Sequence, residues 1–208
     1  MRTAAYLDGF NLYHAIDQLG DPMLKWADLW GIAASYLREG ETLERVTFYT
    51  AYNTWDPGKR SRHLGYVRAL EATGVTVTLS QFAKINKNCV KHARTCQFRE
   101  EKRTDVAIAT DMLSDCYERG IKRILLFTAD SDQIPAVNHI RARFDDVTVY
   151  MIAPPKRLSA ARELGSVCHG RTELTAGRIR EHLLPHEVRD DQGRLMAACP
   201  ALYGPVRP

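Results

Sequence analysis

The chain has 208 residues, 45% of them apolar, and a formal net charge of +4. That length suits one α/β domain with an appendage, and the apolar share is enough for a buried core. No apolar run is long enough to cross a bilayer, no signal-peptide pattern opens the chain, and the five cysteines lack the spacing of a secreted disulfide framework. A cytoplasmic protein without membrane attachment is expected; a homo-oligomer is left open.

Ala4-Ala5-Tyr6-Leu7 reads as a buried strand that ends at Asp8-Gly9. Asn11 to Leu19 follows as a helix closed by Gly20-Asp21-Pro22, and Trp26 to Leu37 carries apolar residues at helical spacing. Leu43 to Tyr52 is a β-rich second strand. Pro57 opens a helix that Gly74 stops, and Val75 to Phe82 alternates as a third strand. After a basic stretch, Thr104 to Arg119 reads as a helix. Ile121 to Thr128 is the fourth strand, with the continuous run Ile124-Leu125-Leu126-Phe127 expected of a central parallel strand. Asp132 to Phe144 is a helix, Val147 to Ile152 a fifth strand, and Leu158 to Leu164 one more helix. Beyond about Arg171 the chain turns polar, with a helical patch at Leu174 to Leu184 and a loose, proline-containing end from Pro200.

Strands alternating with helices predict an α/β fold: a doubly wound, Rossmann-like parallel sheet of about five strands with helices on both faces. The expected domain is residues 1–165, followed by a C-terminal tail, 166–208, with one helix. In such sheets the functional crevice lies outside the carboxyl ends of the strands, and the first and fourth strands are the usual neighbours there.

Four aspartates converge on that edge. Asp8 ends the first strand, Asp130 and Asp132 follow the fourth, and Asp105 opens the helix that leads into it. Crowded carboxylates raise one another's pKa unless a cation compensates. Hard oxygen donors favour Mg²⁺ or Mn²⁺, and such ions activate water and stabilise the leaving oxygen of a phosphodiester. Each aspartate also has a plainer role: Asp8 as a turn residue, Asp105 as a charge on a helix dipole, Asp132 as an N-cap ahead of Pro135. Their joint placement favours a site. Asp111, about 120° round the helix from Asp105, is a lesser candidate.

The segments Tyr6-Leu7-Asp8-Gly9-Phe10-Asn11-Leu12-Tyr13, Glu101 through Leu113 and Thr128 through Val137 resemble, in order, three motifs of the NYN domain family, a branch of the PIN-like nucleases. The similarity spans about residues 3–153. It implies a PIN-like sheet, a divalent cation and endonucleolytic cleavage of RNA. It carries metal and catalytic roles onto Asp8, Asp105, Asp130 and Asp132, and substrate positioning onto Asn11 and Ser131. Thr128-Ala129 stands where the family often shows Ser-Gly.

Between Lys84 and Arg103 there are seven basic and two acidic residues, a local charge of +5. A basic strip beside an acidic centre suits RNA held against metal ions, with Arg99, Lys102 and Arg103 nearest in sequence to Asp105. The plain alternative is a solvated loop. Within it, Cys89, His92 and Cys96 offer three zinc ligands where a structural site usually needs four, so structural zinc is not the favoured reading. Other enzyme classes fit poorly. A haloacid-dehalogenase phosphatase wants an aspartate where Phe10 stands, and neither a Gly-rich phosphate loop nor a GxSxG elbow occurs. The remaining rival is a non-catalytic RNA-binding or scaffold domain with a relic pocket; the intact set of four carboxylates favours an enzyme.

Overall fold

The computed structural model describes residues 1–89 and 94–204. Strand β1 (Arg2–Asp8) lies at the centre of a six-stranded sheet. Strands β2 (Thr42–Thr50) and β6 (Arg123–Phe127) pair with it on either side; β3 (Thr76–Leu79) flanks β2, and β7 (Thr148–Ala153) and β8 (Gly170–Glu173) continue beyond β6. Every neighbouring pair is parallel, so each strand-to-strand connection is a crossover. The chain reverses its direction of travel across the sheet between β1 and β6, so the switch point lies between those two strands.

Successive side chains in a strand point to opposite faces, and both faces here are covered. Ala5, Leu7, Leu125 and Phe127 pack with helices α1 (Gly9–Asp17), α2 (Leu29–Ala34) and α3 (Pro57–Ala72) through Leu12, Ile16, Ile32 and Leu70. Ala4, Tyr6, Ile124 and Leu126 pack on the other face with α4 (Thr104–Glu118), α5 (Ile134–Arg143) and α6 (Arg162–Val167) through Ile108, Met112, Val137, Ile140 and Leu164. Burial on both sides is why β6 is an unbroken apolar run rather than an alternating one.

The C-terminal segment holds the expected helix, α7 (Ala176–Glu181), but also the sixth strand, β8, and a hairpin of β9 (Glu187–Arg189) and β10 (Leu195–Ala198). Leu174, Ile179, Leu184, Val188, Ala197 and Cys199 are buried against the α1–α3 face. The Trp26 indole donates to Pro185 O at 2.9 Å and Asp28 N to His182 O at 2.9 Å, tying this segment to the helical entry of the domain.

The basic stretch is not an irregular loop. Strand three stops at Leu79, and β4 (Gln81–Cys89) pairs antiparallel with β5 (Arg94–Lys102) in a separate two-stranded sheet. The reading that ran strand three to Phe82 missed a sheet change at Ser80, whose N–H still donates to Thr50 O of β2 at 2.7 Å. Of the three zinc candidates, His92 and the side chains of Cys89 and Cys96 lie outside the described residues. Among the described residues no helix is long and apolar enough to cross a membrane.

Candidate metal centre

The centre is built at the carboxyl edge of β1 and β6. Asp8 is the last residue of β1 and also the N-cap of α1: its Oδ1 accepts from Asn11 N at 3.0 Å. The turn from strand to helix is tight. A Cβ on Gly9 would sit 2.4 Å from Tyr49 O and 2.7 Å from the Phe48 ring, so no other residue fits there without moving β2. On its other side, Asp8 Oδ2 accepts from the Thr128 hydroxyl at 2.9 Å, and that same Oγ1 accepts from Asp130 N at 3.1 Å. A buried threonine thus joins the ends of the two central strands. Asp130 Oδ1 in turn accepts from Asp132 N at 3.0 Å, which starts the 3₁₀ turn leading into α5.

Asp105 comes from the opposite direction, in the first turn of α4. The residue before that helix, Arg103, has φ of 78°, a left-handed conformation that non-glycine residues rarely adopt. The Thr104 hydroxyl donates to Ser80 Oγ at 2.8 Å, so both ends of the β4–β5 hairpin are fastened beside the helix start. Gln133, buried at the head of α5, donates from Nε2 to Asp105 O at 3.2 Å and to Asp105 Oδ1 at 3.3 Å. Its Oε1 is buried with no hydrogen-bond partner.

Carboxylate oxygens of Asp105, Asp130 and Asp132 lie within 4.8 Å of one another, with Asp105 and Asp130 half-buried and Asp132 exposed. Asp8 stands behind this cluster, linked through Thr128 and 5% exposed. Burial pushes the Asp8 carboxyl up to about 6; the hydrogen bonds from Asn11 and Thr128 oppose this, and the charges of Asp105 and Asp130 add to it. Asp105 is also raised, first by burial and then by the Asp130 charge. Both carboxyls are thus harder to ionise than free ones, and the mutual repulsion of the cluster adds to the effect of burial. Three clustered oxygen donors, a fourth carboxylate behind them and an unfilled acceptor on Gln133 fit a divalent cation and the waters it keeps.

Asn11 is half-buried, and its backbone N–H caps onto Asp8; Ser131 is exposed beside Asp130. Asp111 is not a ligand of the cluster. Its Oδ2 accepts from the Tyr49 hydroxyl at 2.7 Å and from Arg45 at 3.4 Å. One turn further along α4, buried Asp115 accepts from the Tyr6 hydroxyl at 2.8 Å, from Arg45 at 3.0 and 3.1 Å, and from Arg119 at 2.9 Å. This network clamps α4 to β1 and β2 and so sets where Asp105 arrives. Thr128, Gln133, Arg45 and Asp115 were not singled out by the sequence; only Thr128 carried a signal, as a departure from the family's usual pair. A cleft of about 570 Å³ lined by Lys156, Leu158, Ser159, Arg162, Arg171 and Glu173 opens near the end of β7, and none of the four aspartates lines it.

Of the basic candidates, Lys102 and Arg103 are exposed at the root of the hairpin, adjoining Asp105 in sequence. Arg99 lies over the Trp55 ring, 4.0 Å from its centroid.

The model of the NYN domain matches residues 2–175. The chain belongs to the NYN domain family. That places it in a PIN-like nuclease family, and the match extends through β8. No curated protein matches this NYN chain. Among solved structures, a protein of unknown function from Vibrio parahaemolyticus is similar over 88% of this chain and 96% of its own, with 18% identity and a TM-score of 0.56, a likeness of fold alone. An isochorismatase-like hydrolase from Alkaliphilus metalliredigens covers 83% of this chain and 95% of its own at 13% identity, with a TM-score of 0.33.

Proposed function

We propose that this NYN protein is a metal-dependent endoribonuclease, with Asp8, Asp105, Asp130 and Asp132 as its catalytic and metal-binding residues and Mg²⁺ or Mn²⁺ as the cofactor. The observation that carries the reading is the gathering of three carboxylates within 4.8 Å at the switch point, backed by a fourth that burial makes hard to ionise. When bound, the cation supplies Lewis-acid polarisation of a phosphoryl oxygen and a water acidic enough to attack it.

The residues do the rest. Asp130 and Asp132 present oxygens on the open side. Asp105, held by Gln133, presents one from α4 and can take the proton released as water adds to phosphorus; the P–O bond to the departing strand breaks in the same displacement, and the freed oxygen takes its proton from solvent. Asp8 holds the geometry through Thr128 and contributes the negative charge that draws the cation in. Asn11 and Ser131 flank the carboxylates, where side-chain amide and hydroxyl can orient the scissile phosphate. The nuclease unit, expected at residues 1–165, is taken to include β8 as well, with the segment beyond it as its cover, acting in the cytoplasm.

The test is cleavage of an end-labelled single-stranded RNA with Mg²⁺, with Mn²⁺ and with chelator, by wild type and by Asp130→Asn. Internal cuts that need the metal and vanish in the variant are expected. RNA binding without cutting in any metal would leave a binding domain with a relic pocket.

A negative pocket repels phosphate until the cation is in place, so approach needs a positive flank. Neutralising Arg99, Lys102 and Arg103 together is expected to weaken RNA binding at low salt. It should flatten the salt dependence by roughly one unit of log–log slope per lost phosphate contact, alike for different sequences. Binding isotherms across a salt series measure this; an unchanged slope would mean the RNA enters from another side.

A further inference from the structure

The metal centre leaves one feature of its own edge unexplained. Phe10, in the first turn of α1, Trp55, in the loop before α3, and Phe82, in β4, come from three separate parts of the chain and meet in one row. The Phe10 and Phe82 ring centroids are 6.2 Å apart and the Phe82 and Trp55 centroids 5.1 Å, both edge-to-face, and the Arg99 guanidinium closes the row 4.0 Å from the Trp55 centroid. If the row served only to root the hairpin, its rings would be buried. Instead Phe10 is 43% exposed and Trp55 41%. Trp55 is also held in place as an exposed ring: Asn53 Oδ1 accepts from Trp55 N at 3.1 Å and from Asp56 N at 3.0 Å, and Asp56 caps α3 through Lys59 N at 2.9 Å.

The row adjoins the acidic centre at both ends of its supports. Phe10 follows Asp8 by two residues, and Phe82 follows Ser80, which is hydrogen-bonded to Thr104 beside Asp105. Lys84, Arg99 and Lys102 on the hairpin and Arg103 at its root, all exposed, give it a positive border. Exposed aromatic faces flanked by arginine and lysine suit a polyanion whose bases have free π-faces. A duplex keeps those faces stacked inside; an unpaired strand offers them.

We infer that Phe10, Trp55 and Phe82, with Arg99, form a stacking platform for an unpaired base of single-stranded RNA beside the scissile phosphate. The inference rests on the nuclease reading above for the identity of the polymer, and adds to it that the substrate is unpaired where it is held.

The test is fluorescence anisotropy with the full chain in chelator, so that nothing is cut. Three probes are compared: a short fluorescein-labelled single-stranded RNA, the same sequence as a duplex, and an abasic strand of equal length. The wild type should bind the single strand about tenfold more tightly than the abasic strand. Trp55→Ala should lose that preference with its salt slope unchanged, because phosphate contacts remain, and Trp55→Phe should keep most of it. Equal affinity for the abasic strand, or equal binding by wild type and Trp55→Ala, overturns the platform; the abasic comparison needs no variant and holds even if Trp55→Ala misfolds. Base-dependent binding without metal-dependent cleavage in the previous assay retires the nuclease reading and leaves the platform standing; cleavage without base dependence does the reverse.

Discussion

Asp8→Asn is expected to lower metal-dependent cleavage about a thousandfold, roughly 4 kcal/mol of transition-state stabilisation, while making the metal-free protein more stable at neutral pH. The two effects have one origin. The Asp8 carboxyl has an ordinary value of 3.8 and is raised to about 6 in the folded chain, chiefly by burial. Between those values the folded protein keeps a proton that the unfolded chain has released. Metal-free stability is therefore full below the lower value and declines as pH rises through the higher one. By linkage the decline amounts to about 3 kcal/mol once the group is ionised in both states.

Asparagine removes that penalty, in which the opposing hydrogen bonds from Asn11 N–H and the Thr128 hydroxyl are already counted. A net gain of up to about 3 kcal/mol at pH 7.5 follows, shrinking toward nothing near pH 4. Urea unfolding in chelator at the two pH values measures it. Adding Mn²⁺ should stabilise the wild type by mass action and leave the variant nearly unmoved. A variant less stable than wild type at pH 7.5 without metal would show that Asp8 is content as an isolated anion, and the case for a cation would lose its electrostatic driving force.

What the sequence disclosed about this centre, it disclosed through strand ends. Asp8 and Asp130 each close an apolar run, and the parallel order puts those runs side by side; Thr3 to Leu7 pair with Arg123 to Phe127 in register. The helical angle that set Asp111 apart from Asp105 also holds, but nothing local tells that its partners are Tyr49 and Arg45, contributed by β2. β8 was illegible for a different reason. Gly170-Arg171-Thr172-Glu173 has no apolar residue and owes its strand form to pairing with Tyr150 to Ala153. Gly170 is needed there because a Cβ would stand 2.4 Å from the Tyr150 ring, a contact between residues 20 apart in sequence. The hairpin hid inside its charge. A run rich in lysine, arginine and asparagine reads as solvated, and the pairing that makes it a two-stranded sheet lies between residues well apart in sequence, Gln81 with Lys102 at its root. The aromatic row could not be read at all, since Phe10, Trp55 and Phe82 meet only once β1, α3 and β4 are in place.

Asp115→Ala is expected to destabilise the protein by about 3 kcal/mol, a fall in Tm on the order of 10 °C for a chain of this size. The Asp115 side chain is 3% exposed and accepts from three different groups. Removing it leaves the Tyr6 hydroxyl buried without an acceptor, and the Arg45 guanidinium, 20% exposed, with only the longer contact to Asp111. The loss is mostly the cost of what stays behind rather than the worth of the pair. Arg45→Met in the Asp115→Ala background should therefore recover part of the stability, because a cation left with one long, weak partner is replaced by an apolar chain of similar reach. The same clamp fixes the angle of α4, whose first turn carries Asp105. Arg45→Met/Asp115→Ala protein that has regained its Tm should still bind Mn²⁺ more weakly than wild type, which separates a helix held in the right place from a helix merely held. Calorimetric titration beside thermal unfolding distinguishes the two. Full metal affinity in the double variant would mean that Gln133 and the hairpin root suffice to seat Asp105, and that the Tyr6–Asp115–Arg45 network serves folding alone.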